Sequence, residues 1–370
     1  MRSPCIRVDA FNAQAETFVA LHEGAATPTY VRNVGARVVA LRAGGLCVPA
    51  TVNRADAGDA WICSPRTTYC DYAAEELERL GRPLLRRLLA PAIGAVGRGM
   101  GAARLDRCVA VNNWLVSTNS YPDADAGAIR ALVESAVSRW PRHALWFRSL
   151  TREHNAAWID ALRGCGARLV PSRQVYLFDD IAMLEREHAD VAKDFALLRR
   201  SRLQALSPED MAETDYDRAA ALYALLYLGK YSRLNPDYTP ALIRAWHRAG
   251  LLQLHGQRDQ AGDLEAVVGM LRFGNLITSP IVGYDTARPR RDGLYRLLSA
   301  NVLHQAMQAR CTVNLSAGVA HFKRQRGGVP AIEYSAVVAG HLPLRTRAAL
   351  GLLRGATQGI GVPLMRGLRL

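Results

Sequence analysis

The sequence is short of the signatures that would place it in several large functional classes. Its seven cysteines (Cys5, Cys47, Cys63, Cys70, Cys108, Cys165 and Cys311) are scattered, odd in number and never spaced as CxxC. That argues against a disulfide framework or a zinc site and fits a reducing, cytoplasmic compartment. The nine histidines do not cluster at metal-ligand spacing, so no metal is expected. There is no HExxH and no GxSxG, and Gly229-Lys230-Tyr231-Ser232 lacks the earlier glycine of a phosphate-binding loop. The longest apolar run, LLAPAIGAV at 88–96, is far below the roughly 20 residues of a membrane span. The N-terminus, MRSPCIRVDAFN, has no signal-peptide apolar region. Cys63 and Cys70 flank a strand-to-helix turn and are read as small buried residues.

What the chain does have is length and positive charge. It has 370 residues, 49% hydrophobic and 22% charged, with a formal net charge of +14. At about 150 residues per domain the length favours two domains. The charge attracts nucleic acid, anionic lipid or phosphorylated small molecules without choosing among them.

Periodicity gives an α/β (α+β) chain whose two halves repeat one order. In the first half RVVAL, LCVPATV and AWIC (within 37–63) and DRCVAVNNWLVST predict strands, and TYCDYAAEELERLG predicts a helix. AGAIRALVESAVSRW (helix), ALWFRSL (strand), REHNAAWIDALRGCG (helix) and RLVPSRQVYLFD (strand) follow. A charged helical connection over 181–206 leads to the second half, where Ser207 as N-cap and Pro208 open a helix and Thr239-Pro240 opens another, closed by Gly250. LLQLHGQ, LEAVVGMLRF and NLITSPIVGY predict a meander. DGLYRLLSANVLHQAMQA (helix), CTVNLS (strand), VAHFKRQRGG (short helix) and PAIEYSAVVAG (strand) close the repeat. Gly127 and Gly293 take equivalent places, which points to an internal duplication. The expected division is 1–180, a connection over 181–206, 207–341 and a basic tail over 342–370.

The copies differ where strand turns into helix. The first reads Pro-Asp-Ala-Asp-Ala-Gly, with Asp123 and Asp125; the second reads Arg-Pro-Arg-Arg-Asp-Gly, with Arg288, Arg290 and Arg291 before Gly293. A helix start carries free N–H groups and partial positive charge. Carboxylates satisfy it, whereas three guanidiniums suit it only with an anion such as phosphate in place, or as a solvated loop.

Arg290-Arg-Asp-Gly293-Leu-Tyr295 resembles the [QR]-x-x-G-x-[GA] acetyl-CoA signature of the GNAT superfamily, with Tyr295 where a small residue is usual. The closing segment NLSAG…FKRQRGG…IEYSAVV resembles FemAB-like and other tandem-GNAT acyltransferases. The resemblance covers about 100–340. It implies two GNAT-like domains, each a mixed, mostly antiparallel sheet flanked by helices, and transfer of an acyl group to an amine. It implies acyl-CoA or acetyl-CoA as co-substrate, with acyl carrier protein or aminoacyl-tRNA as other donors. Arg288, Arg290, Arg291, Gly293 and Arg326 are then expected at the donor's phosphates, and Lys323 beside them on an exposed rim. The loop LGKYSRLNPDYTP (228–240) is expected beside a small-molecule amine acceptor, with Tyr231 in the chemistry and Arg233 and Asn235 binding substrate. Asn314, Tyr334 and Lys323 complete the catalytic set. Glu333, next to Tyr334 on one strand, points to the other face and is expected to face outward. Phe322 is expected to be the buried side of its helix. The other class of reading is a non-catalytic binder of RNA or anionic membrane, in which the tail's alternating apolar and Arg residues contact a bilayer. Glycine and proline in that tail argue against one long helix.

Overall fold

The computed structural model describes residues 3–54 and 58–367. Alternating apolar residues and Gly turns give the first meander: β1 (Arg37–Ala43) and β2 (Leu46–Arg54), preceded by helices α1 (Val8–Glu23) and α2 (Thr27–Tyr30). Two further helices, α3 (Tyr72–Arg79) and α4 (Pro83–Ala102), intervene before β3 (Arg107–Val111), α5 (Ala126–Arg139), β4 (Ala144–Leu150), α6 (Arg152–Gly164) and β5 (Arg168–Phe178). Helices α7 (Ile181–Glu187) and α8 (Ala189–Arg200) connect to β6 (Gln204–Leu206). The order then recurs: α9 (Glu213–Ala224), α10 (Pro240–Arg248), β7 (Leu252–Arg258), β8 (Leu264–Phe273), β9 (Leu276–Tyr284), α11 (Leu294–Gln308), β10 (Thr312–Asn314), α12 (Ala320–Gln325) and β11 (Val329–Val338). Helices α13 (Leu344–Ala356) and α14 (Val362–Gly367) follow.

All strands join one sheet, ordered β1-β2-β3-β4-β11-β5-β10-β9-β8-β7-β6. Within each copy two antiparallel pairings are followed by one parallel pairing, β3 with β4 and β9 with β10. At the centre the copies exchange their last strands. β11 lies antiparallel against β4, β5 lies antiparallel against β10, and β5 and β11 pair with each other. This doubled topology is a tandem α/β fold, mostly antiparallel and flanked by helices, in the order that the GNAT resemblance implies. One core underlies both copies, with Phe11, Trp114 and Trp158 from the first and Trp246 and Phe273 from the second.

Several local expectations change. Ala60–Cys63 forms a turn, not a strand, and β3 ends at Val111. Ser207 donates to Asp210 at 2.6 Å and caps no helix. The helix starts at Glu213, where Asp215 accepts from the Ala212 N–H at 2.7 Å. Asp125 does cap α5, accepting from Ala128 at 2.8 Å, whereas Asp123 accepts from the Ile6 N–H and ties down the N-terminal segment. The tail is helical without a break from 344 to 367, with Gly359 and Gly361 in a π-helical stretch, Thr357–Gly361, and Gly351 and Gly355 inside α13. Its last three residues lie outside the described residues.

The buried carboxylate of Asp194 on α8 binds the Arg326 guanidinium at 2.6 Å and that of Arg296 at 2.7 Å, joining the connection to α11 and α12. Asp194→Ala leaves Arg326 charged, buried and unpaired. A loss of about 3–5 kcal/mol is expected in chemical denaturation. An unchanged midpoint would show that the pair stabilises nothing.

Candidate functional site

The last strands of the two copies carry the site's charges. Glu333 of β11 and Arg173 of β5 are cross-strand neighbours. They form a two-pronged pair, Nε to Oε1 at 2.8 Å and Nη2 to Oε2 at 3.1 Å. Arg173 also donates to the Ser117 carbonyl and the Thr118 hydroxyl. Glu333 is 2% exposed, so the expectation of an outward Glu333 fails: the β5–β11 pairing turns it onto Arg173. Tyr334 is half-buried and packs against the main core.

A second arginine, Arg148 on β4, is buried in the same region. It donates to the Ile62 carbonyl at 2.8 Å and to Asn113 Oδ1 at 3.3 Å, while its Nη2 has no partner among the described residues. Burial lowers its pKa and the Glu333 charge opposes that shift. Both guanidiniums sit over the Trp61 ring, at 5.0 and 4.9 Å.

Half-buried tyrosines lie beside this cationic centre and extend away from it: the Tyr72 ring is 6.1 Å from Trp61, the Arg173 charge acts on Tyr72 and Tyr227, and Tyr231, Tyr284 and Tyr295 are half-buried too. Tyr227 stacks on Tyr223 at 4.7 Å and touches Tyr231 at 6.0 Å; Tyr295 meets Tyr284 at 6.4 Å and Phe322 at 4.9 Å. Burial pushes four of these phenols up, to about 12 for Tyr72 and Tyr295 and upward for Tyr227 and Tyr231. They stay protonated at neutral pH. A protonated phenol can give a proton to a leaving group, and fixed cations can hold a developing oxyanion.

Lys323 and Arg326 do not form an exposed rim. Lys323 is 3% exposed, and its ammonium donates to the carbonyls of Leu315 (2.7 Å), Ser316 (3.2 Å) and Ala317 (2.8 Å). Asn314 accepts from the Ser316 N–H at 2.8 Å, so both side chains clamp a loop whose Ser316 and Val319 have positive φ. Arg326 is spent on Asp194 and on the Phe322 carbonyl. Phe322 is only half-buried, the reverse of the expected arrangement, because the short α12 turns Lys323 inward. The Gly pair follows for steric reasons. Gly327 has φ +80°, and a Cβ there would stand 2.4 Å from Leu184.

On the acceptor side, Asn235 is buried and fully engaged. Its Oδ1 accepts from Trp61 Nε1 at 3.0 Å and its Nδ2 donates to the carbonyls of Tyr227 and Ser232. Asn235 therefore sets the position of Trp61 and of Tyr227, while Arg233 is exposed. At the start of α11, Gly293 has φ +66°, Arg288 pairs with Asp292 at 3.0 Å, and Arg290 and Arg291 are exposed. Arg148, Arg173, Trp61 and Glu333 form the centre that sequence reasoning missed. The sequence signal was an arginine inside a strand, Arg148 in the largely apolar ALWFRSL and Arg173 in RLVPSRQVYLF.

A large cavity lies elsewhere. It measures about 800 Å³ and sits beside β1, at one edge of the sheet, with His22, Arg37 and Arg139 in its wall.

Burial, reinforced by Arg173, lowers the Lys323 pKa to about 7 from 10.5. Below pH 7 the proton is bound in both folded and unfolded chains, and the native state carries the full penalty. Above pH 7 the native chain releases it while the unfolded chain keeps it, so stability rises with pH by up to about 1.4 kcal/mol per pH unit. Denaturation across that range should show the rise in the wild type and not in Lys323→Met. Equal slopes would mean that the ammonium stays charged on its three carbonyls.

No family model matches the chain, and no curated protein does. Among solved structures it is similar to L-PGS from Bacillus licheniformis, at 11% identity over 67% of this chain and 82% of that one, with a TM-score of 0.47. It is similar to FemX at 10% identity over 58% and 77%, TM-score 0.46. It is also similar to a tandem GNAT protein from the clavulanic acid biosynthesis pathway, at 12% over 64% and 76%, TM-score 0.38.

Proposed function

We propose that the chain is a transferase that moves an acyl or aminoacyl group from an activated donor to an amine, at the tyrosine-lined centre around Arg173. The observation that carries this reading is the cluster of buried Arg148 and Glu333 with half-buried Arg173, beside the half-buried phenols of Tyr72 and Tyr227. Two fixed cations beside proton donors match what the reaction needs: the carbonyl polarised and the leaving group protonated.

The donor arrives from the side of α11. Arg290 and Arg291 are exposed beside a helix start that carries no side-chain cap, and Gly293 lets the chain turn there in the left-handed region. That combination favours a phosphate-bearing donor such as acyl-CoA. The new bond joins the amine nitrogen to the acyl carbon, and the bond to the donor's sulfur or ester oxygen breaks. The Tyr231 hydroxyl gives its proton to that departing atom, and the amine's proton goes to solvent. Arg148 and Arg173 hold the carbonyl oxygen as charge builds on it. Lys323 and Asn314 act one layer back, fixing the 315–319 loop. Aminoacyl-tRNA is the other donor that a basic surface would take.

Two measurements test this. Arg290→Ala with Arg291→Ala should weaken CoA-thioester binding in calorimetry by roughly ten- to a hundredfold, the scale of charged hydrogen bonds. Asp123→Asn should leave it alone. Tyr231→Phe should lower kcat with little change in KM. Turnover with charged tRNA and none with any CoA thioester would reassign the donor. Full activity in Tyr231→Phe would remove it from the chemistry.

A further inference from the structure

No helix among the described residues is long and apolar enough to cross a membrane. The surface nevertheless carries one apolar feature that the proposed reaction does not use. Nine large hydrophobic side chains are exposed among the described residues, and five of them lie on the α4 and α13–α14 segments. Leu84 is 77% exposed, Leu88 74%, Leu344 74%, Leu352 55% and Ile360 42%. From Arg82 to Ala92 no residue is buried, so the first half of α4 stands away from the body. Only its second half is anchored, through Ile93, Val96 and Met100 against Leu350, Leu353 and Ala356.

The two helices run antiparallel. Thr346 donates to the Ala103 carbonyl at one end, and the shared cluster reaches Ala356 and Ile93 towards the other. Ile360, one turn beyond Ala356, therefore lies towards the same end as the free half of α4 with Leu84 and Leu88.

Charge on these segments has one sign. Neither 81–104 nor 340–367 contains an Asp or a Glu. Arg86 is paired with Glu78 at 2.8 Å on α3. Arg82, Arg87 and Arg98 on one segment and Arg345, Arg347 and Arg354 on the other have no carboxylate partner among the described residues, and all six are exposed. Exposed leucines interleaved with unpaired arginines are the composition of a helix that rests in the interface of a bilayer. A second copy of the chain would bring like-charged arginines together. Single-stranded RNA would call for aromatic platforms, and neither segment has a Phe, Tyr or Trp.

We infer that α4 and the α13–α14 segment together form a docking surface for an anionic membrane, with Leu84 and Leu88 entering the acyl boundary and the arginines meeting lipid phosphates. The surface reaches beyond the basic tail because the free half of α4 carries Leu84, its most exposed leucine, and Leu88.

The full chain is tested by co-sedimentation with vesicles of phosphatidylglycerol and phosphatidylcholine, against vesicles of phosphatidylcholine alone. Binding is expected only with the anionic lipid and should weaken with salt. Leu84→Ser with Leu88→Ser should reduce binding at least tenfold at an unchanged melting temperature, since both side chains are exposed. Arg82→Gln and Arg87→Gln should each reduce it about fivefold. The inference is overturned by absent binding at low salt, or by a leucine variant that binds vesicles like the wild type. It is equally overturned if those leucines control a concentration-dependent dimer, or binding to RNA, and leave vesicle binding unchanged.

Discussion

The pair between Arg173 and Glu333 is the constraint around which the molecule is organised. A carboxylate 2% exposed must have a partner, and its partner comes from the last strand of the other repeat. Removing either side chain leaves a buried charge, which is far worse than never having buried the pair. The interaction thus fixes the β5–β11 register at the seam where the repeats exchange strands. A slip of one residue would turn Glu333 towards the opposite face. It also holds Arg173 still, and through Arg173 the stacking on Trp61 and the links to Ser117 and Thr118.

The loop expected beside the acceptor shows how far the repeats depend on each other. By sequence 232–239 belongs to the second copy, yet the first copy holds it. Trp61 donates to Asn235, Arg32 pairs with Asp237 at 2.8 Å, Thr239 donates to the Thr29 carbonyl, and Asn33 bonds to both Asn235 and Asp237. The tyrosines of this region therefore cannot be positioned by one repeat alone.

The doubled order of strands and helices was legible because apolar periodicity and Gly, Pro and Asp stops are local signals. The contrast between Asp125, which caps α5, and the uncapped arginine-rich start of α11 was legible for the same reason. The strand exchange was not, because pairing across hundreds of residues leaves no local trace. Alternation along IEYS places Glu333 and Tyr334 on opposite faces, but only the partner strand decides which face holds the charge. The HFKR cluster misled in a similar way. Exposed and buried cations look alike in sequence, and the carbonyls that hold Lys323 come from a loop bent by positive φ at Ser316 and Val319. Helix α4 was overlooked because Pro83, Pro91 and four glycines within 83–102 read as breakers.

The central claim is that transfer takes place between the start of α11 and the Arg173 centre. A crystal structure of the chain with a non-hydrolysable acyl-CoA thioether tests it most directly. The pyrophosphate is expected beside Gly293 and Arg290, and the acyl carbonyl oxygen among Arg148, Arg173 and the tyrosines. Ligand bound instead in the large cavity beside β1, with the tyrosine-lined centre left empty, would contradict it.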